Sequence, residues 1–180
     1  LSRHLARSCT PAPEPILTQV RRIAAELGCR RPLRVLQSPK FTVPFIFGIF
    51  RPVLVLPEKM CHADYHSRLP GILAHELAHV RSSDFAWNLI LQAVSIPLWF
   101  HPLAWRIASA HRRACDAVCD AVSASYLGDV RSYCRTLAKV ALEDAASATF
   151  PAVGLAMARR CDVRRRVAAL ERAVFATPLR

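Results

Sequence analysis

A chain of 180 residues is long enough to bury one substantial core and too short for two full domains, so a single domain spanning residues 1–180 is expected. Its net charge of +12, carried almost wholly by arginine, comes with 53% hydrophobic residues and a mean hydropathy of +0.21. That pairing is unusual for a soluble enzyme and favours a membrane setting, either an anionic lipid surface or the cytoplasmic part of a membrane protein. Direct nucleic-acid binding is set aside, because no docking motif or aromatic-interleaved basic element is present. Seven cysteines with no CxxC pair exclude a disulfide framework and suit a reducing compartment. The chain begins at Leu1 rather than Met, as expected for a piece of a longer membrane protein.

Residues 14 to 28 place Ile16, Leu17, Val20, Ile23, Ala24 and Leu27 at helical spacing, with Pro15 near the start and Gly28 past the end. Residues 33 to 57 read as short strands of a small sheet, broken by Pro39, Pro44, Gly48, Pro52 and Pro57. The prolines point to edges and turns rather than a central parallel sheet. A helix is expected from Pro70 to about Ser95, interrupted by Pro97 and Pro102. Further helices are expected over about 102–125, 130–143 and 160–174. Residues 85–105 contain no Asp, Glu, Lys or Arg. As one straight helix they would span about 31 Å, near the thickness of a bilayer's hydrocarbon, but Asn88, Gln92, Ser95, His101 and two prolines make a simple span poor. A buried core helix and turn is the first expectation there, with membrane contact or re-entrant packing next.

Within the 70–95 pattern stands His75-Glu76-Leu77-Ala78-His79. On a helix, histidines four apart share a face with Cβ atoms roughly 6 Å apart, so both imidazoles can reach one Zn2+ at about 2.0–2.1 Å. Glu76 starts beside that face, where it can serve as general base and then general acid for the water that such an ion activates. A carboxylate amid Ile72, Leu73, Leu77, Ala78 and Val80 is costly to bury without a purpose. A catalytic zinc needs a third protein ligand. Downstream, Asp116 and Asp120 lie four apart on one helix face. The preferred assignment makes Asp116 the ligand and Asp120 the partner of a zinc-bound imidazole. Cys115, Cys119, His101 and His111 are rival ligands, and salt bridges of the two aspartates to Arg112 or Arg113 are the structural alternative.

These residues resemble the membrane-embedded zinc peptidases of BlaR/MecR-type antibiotic-sensing signal transducers. The likeness runs from about Ile16 to Leu170 through SPKFTVPFIFGIFRPVLVLP, ILAHELAHVRSSDFAWNLI, FHPLAW and DAVCDAV. In the family the last element usually reads Glu-x-x-Cys-Asp, the Glu being the third zinc ligand. Asp116 stands at that place, and its carboxylate reaches roughly 1 to 1.5 Å less far than a Glu. The resemblance implies an α+β, mainly helical, zincin-like metallopeptidase domain with a small N-terminal sheet and an active-site helix carrying HExxH. It implies a bacterial inner-membrane protein whose zinc site faces the cytoplasm and whose protein substrate is a cytoplasmic regulator, with a transcriptional repressor as the candidate. The alternative is a catalytically inactive homologue serving as a membrane signalling or assembly module. No Ser-x-x-Lys is present, so a penicillin-binding sensor domain is not part of this chain.

Smaller features carry weaker expectations. Val53–Leu56 reads as sheet core or as an edge strand that pairs with extended substrate. Asp84 is placed either against a zinc histidine or in a surface pair with Arg81. His101 reads as a turn residue. Trp87, Trp99 and Trp105 suit either the core or an interfacial belt. Arg164, Arg165 and Arg166 read as a solvated helix face, with anionic lipid as the functional alternative.

Overall fold

The computed structural model describes residues 9–146 and 160–176. A short strand β1 (Thr10–Pro11) precedes helix α1 (Glu14–Glu26), which Pro15 starts and Gly28, at φ 68°, follows. Ile16, Val20 and Ile23 form the buried stripe of α1 at spacings of four and three, the period of one helix face. Strands β2 (Arg34–Ser38), β3 (Phe45–Phe47) and β4 (Val53–Pro57) complete a four-stranded mixed sheet in the order β1-β2-β4-β3.

Here one expectation fails, and of the two readings of Val53–Leu56 sheet core is the one that holds. β2 and β4 pair in parallel at the middle of the sheet, with Leu36 opposite Val55, despite the neighbouring prolines. The prolines lie at positions that need no ladder donor: Pro52 precedes β4 and Pro57 ends it. Nor is β4 an edge. Leu54, Val55 and Leu56 are wholly buried between β2 and β3, and the edge role falls to β3, which pairs antiparallel to β4. A continuous apolar run marks a strand buried on both faces.

Helix α2 (Leu69–Ser82) is the centre of the molecule, buried at every residue from Gly71 to Val80. Such all-round burial belongs to a core helix enclosed by neighbours. It lies against α1, β3, the long helix α4 (Pro102–Leu127) and α5 (Val130–Ala146). Gly71 permits that closeness: a Cβ there would lie 2.8 Å from Leu127 Cδ1 and 3.4 Å from Tyr133 Cδ2. The last helix, α6 (Arg160–Ala176), packs on α4 and α5. Six helices and a small sheet make the described structure mostly helical.

The helix expected over residues 70–95 is two helices. Ser83 adopts the left-handed conformation at φ 59°, closes α2 by donating its N–H to His79 and Val80 carbonyls, and hands over to α3 (Asp84–Ser95). Left-handed backbone is unfavourable for most L-residues, so the break requires tertiary support. The expected burial of residues 85–105 is also overturned. Asp84 and Asn88 are buried on α3, while Trp87, Leu89, Ile90 and Val94 are exposed. The six described cysteines, Cys9, Cys29, Cys61, Cys115, Cys119 and Cys134, are free.

Between β4 and α2, two 3-10 turns, Glu58–Cys61 and Ala63–Tyr65, are tied to α5 through Glu143. Lys59 Nζ lies 2.7 Å and Arg68 Nη1 3.6 Å from its carboxylate, and the Tyr65 hydroxyl donates to it as well. Partial burial opposes ionisation of Glu143, but Lys59, Tyr65 and Arg68 outweigh it and hold its pKa below the usual carboxylate value. The stabilisation is therefore present above that usual value and is lost as pH falls through the depressed one. Glu143→Gln is expected to cost about 1 kcal/mol or less at neutral pH, since the cluster is partly exposed. Urea midpoints of the two proteins should converge on acidification.

Candidate metal centre

Helix geometry stacks His75 above His79, four residues apart on α2. Their rings meet edge to face, with Nε2 atoms 3.1 Å apart. Each Nδ1 is engaged elsewhere. His79 Nδ1 lies 2.6 Å from Asp84 Oδ2, at the start of α3. His75 Nδ1 lies 3.1 Å from Asp120 Oδ1 on α4 and 3.0 Å from the Tyr133 hydroxyl on α5. A carboxylate accepts only, so each Nδ1 carries the proton and each Nε2 presents its lone pair. Two lone pairs facing each other at 3.1 Å repel unless a cation lies between them.

Asp116, from α4, completes the group: its Oδ1 is 3.6 Å from His79 Nε2. Ligand atoms of His75, His79 and Asp116 all lie within 4.8 Å of one another. Donors at the corners of a tetrahedron around zinc, each about 2.0–2.1 Å from the ion, stand roughly 3.3 Å apart. Two of the three separations, 3.1 and 3.6 Å, lie on either side of that value, and the whole group lies within 4.8 Å, so the donor set could hold a metal ion despite the shorter aspartate. Asp116 is about one-fifth exposed, and an open cleft of about 320 Å3 between α4 and α6, walled by Arg113, Arg165 and Arg172, reaches it from solvent.

Glu76 is wholly buried, and both its carboxylate oxygens lack a hydrogen-bond partner among the described residues. Burial drives its pKa well above the ordinary carboxylate value; Asp116 adds to the rise and Arg166 opposes it. Burial likewise raises Asp116. Burial lowers His75 to about 3, against the hydrogen bond it donates to Asp120, so the imidazole is neutral and suited to a metal.

Asp120 sits between a histidine and an arginine. Arg166, from α6, grips it with Nε 2.7 Å from Oδ2 and Nη2 on Oδ1, while the Tyr133 hydroxyl donates to Oδ1 at 2.7 Å. Burial opposes the charge on Asp120, but Arg166 and His75 hold its pKa well below the usual range. Arg166 Nη2 also lies 3.4 Å from His75 Nε2.

The rival ligands fall elsewhere. Cys119 is buried on the Nδ1 side of His79, 3.4 Å from that nitrogen, and with His79 and Asp84 forms a second grouping. Burial and Asp84 push its thiol pKa far up, which disfavours the thiolate that metals bind. His111 packs on Cys115 at 3.4 Å, and His101 caps α4 by accepting the Leu103 N–H at Nδ1. Among the described residues neither aspartate of the pair is seen bridged to Arg112 or Arg113; Asp120 is bridged to Arg166.

Sequence reasoning missed Tyr133 and misplaced Arg166. The arginine run is not a uniformly solvated face: Arg165 is exposed, Arg166 is buried, and the Arg164 side chain lies outside the described residues. A signal was available in Val163, Arg166 and Leu170, spaced three and four apart, all buried on one face. Tyr133 had none, since nothing local distinguishes it from a packing aromatic.

The buried histidine and aspartate cluster on a mostly helical frame has the donor set of a metal-dependent hydrolase. The chain belongs to the family described as BlaR1 peptidase M56, which matches residues 2–170. It is similar to the Regulatory protein BlaR1 of Bacillus licheniformis, 33% identical over 86 residues, 47% of this chain and 14% of that protein. It is also similar to the Methicillin resistance mecR1 protein of Staphylococcus aureus strain Mu50, 25% identical over 91 residues, 51% of this chain and 16% of the relative. The mecR1 protein of Staphylococcus epidermidis matches to the same extent. The chain thus spans a small part of the curated relatives' length.

Proposed function

We propose that this chain is a single zinc-dependent endopeptidase domain of a membrane-embedded regulatory protease. It has a zincin-like site whose active-site helix is α2, with His75, His79 and Asp116 as zinc ligands. Glu76 is the general base and acid, and Asp120 orients His75. The observation that carries this reading is the pair of Nε2 lone pairs held 3.1 Å apart while both Nδ1 atoms are committed to carboxylates. Metal-binding histidines characteristically give their other nitrogen to a carboxylate in this way.

Bound there, zinc supplies a Lewis acid that polarises the scissile carbonyl and acidifies the attacking water. Asp84 and Asp120 hold the two imidazoles in the tautomer that leaves Nε2 free. The unpartnered Glu76 carboxylate takes the water's proton and returns it to the leaving amine. An elevated pKa suits this exchange, because the acquired proton is retained until the amine departs. The edge strand β3, packed on α2, is placed to pair with an extended substrate segment.

The substrate on this reading is a cytoplasmic regulator, with a transcriptional repressor as the candidate in view of the relatives' regulatory and resistance names. The setting is the bacterial inner membrane with the site facing the cytoplasm. Metal analysis of the purified protein tests the ligand set. Wild type is expected to bind one zinc, and Asp116→Ala to lose affinity by about 100-fold or more. Undiminished zinc in the variant would remove Asp116 from the site. One bound zinc with no cleavage of any candidate regulator would favour the inactive signalling homologue.

A further inference from the structure

Helix α3, the turn at residues 96–101 and the start of α4 form a hairpin whose tip is closed by His101 capping α4 and by Ser95 Oγ at 3.4 Å from the Ala104 carbonyl. Its exposed surface is mostly apolar, with Gln92, His101 and Arg106 as its exposed polar residues. At the tip Ile96, Trp99 and Phe100 are 74, 69 and 66% exposed. Leu103, Trp105 and Ile107 on α4 and Trp87, Leu89 and Ile90 on α3 are each at least 40% exposed.

These side chains do not form a stripe. At 3.6 residues per turn, Leu103 and Trp105 point about 200° apart, as do Trp87 and Leu89. A protein partner covers one face of a hairpin, whereas lipid surrounds it. The dimensions agree with shallow entry. Trp87 to Ser95 rises about 12 Å and Pro102 to Arg112 about 15 Å, half of a hydrocarbon core about 30 Å thick. No helix among the described residues is long and apolar enough to cross.

Charge supplies the complement. Exposed Arg81 stands just before α3, and Arg112 and the exposed Arg113 stand on α4 at the depth where an inserted hairpin would meet headgroups. The one acidic residue of α3, Asp84, is buried against His79. Arg106, about 6 Å along α4, is exposed and long enough to reach outward to the interface.

We propose that this hairpin inserts into one leaflet of an anionic bilayer, holding the metal centre at the headgroup surface. Asp116 lies about 21 Å along α4 from Pro102, beyond the hydrocarbon and within reach of a polypeptide near the membrane. The inference rests on the membrane setting proposed above, and not on zinc or catalysis.

The chain's three tryptophans, Trp87, Trp99 and Trp105, all lie in the hairpin, so selectively excited tryptophan fluorescence reports on it alone. The full chain, with zinc, is mixed with vesicles of phosphatidylglycerol and phosphatidylcholine. The expected result is a blue-shifted emission, quenching by bromine-labelled acyl chains, and flotation with the vesicles that weakens in high salt and on phosphatidylcholine alone. Trp99→Ser with Phe100→Ser should reduce partitioning by about 100-fold, since each aromatic contributes at least a factor of ten on burial. Absence of acyl-chain quenching in wild type overturns the proposal. A blue shift without vesicles that tracks dimer formation in sedimentation also overturns it and assigns the surface to a second copy. Zinc content, read in the same samples, separates the two ideas: flotation without zinc leaves the hairpin standing and removes the metal centre, and zinc without flotation does the reverse.

Discussion

Glu76→Gln is expected to keep bound zinc and to lower peptide hydrolysis by roughly 100- to 10,000-fold, the range for losing a positioned general base. The structural ground is that both Glu76 oxygens are buried with no partner among the described residues, an arrangement that nothing in the packing rewards. A companion substitution separates function from stability. Glu76→Leu should stabilise the metal-free protein by about 1–3 kcal/mol, because an unsatisfied buried carboxyl is replaced by an apolar group of similar size. The sign of its pH dependence follows from burial, which raises the folded pKa of Glu76 above 4.5. The penalty on wild type is small below 4.5 and grows as pH rises through the folded pKa, so the variant's advantage widens with pH. Urea unfolding in chelator at several pH values checks this, and a destabilised Glu76→Leu would show that the carboxylate is structurally required.

Asp120→Ala should be the most damaging single change, costing about 3–5 kcal/mol, because it takes the counter-ion from the buried Arg166 guanidinium. Arg166 is only 6% exposed and binds Asp120 through two nitrogens. Arg166→Met alone should cost a similar amount by leaving the buried Asp120 charge without its arginine counter-ion. The double variant Asp120→Leu with Arg166→Met should recover most of the stability, as apolar replacement of a buried ion pair often does. Zinc affinity should behave differently. Loss of the carboxylate that orients His75 lowers it by about 10- to 100-fold, and the double variant should not regain it. Recovery of both quantities together would mean that Asp120 acts only as the arginine's counter-ion.

Of the six helices, α1, α4, α5 and α6 agree with the sequence pattern to within a few residues, because their apolar periodicity and flanking Pro or Gly are local signals. The division between α2 and α3 was not legible. Ser83 is an ordinary polar residue until the packing of α2 and the bond that His79 donates to Asp84 hold it left-handed. The small sheet was visible as β-rich runs, but its order was not, since pairing joins segments through contacts distant in sequence. Exposure of the α3–α4 hairpin also eluded the pattern: a run without charges looks the same whether protein or lipid is to cover it.

His75, Glu76 and His79 are readable from order alone, because the helical repeat is a local property that puts residues four apart on one face. Asp116 and Asp120 share that legibility between themselves, being one turn apart on α4, but nothing in their spacing says that α4 faces α2. Packing of α2, α4, α5 and α6 brings together residues as distant in sequence as His75 and Arg166, and it aims Asp116 at one side of His79 and Cys119 at the other. Local backbone geometry orients groups within a helix. Which of them meet across helices follows from burial and from the need to satisfy every charge taken out of water, and that balance exists only in the assembled core.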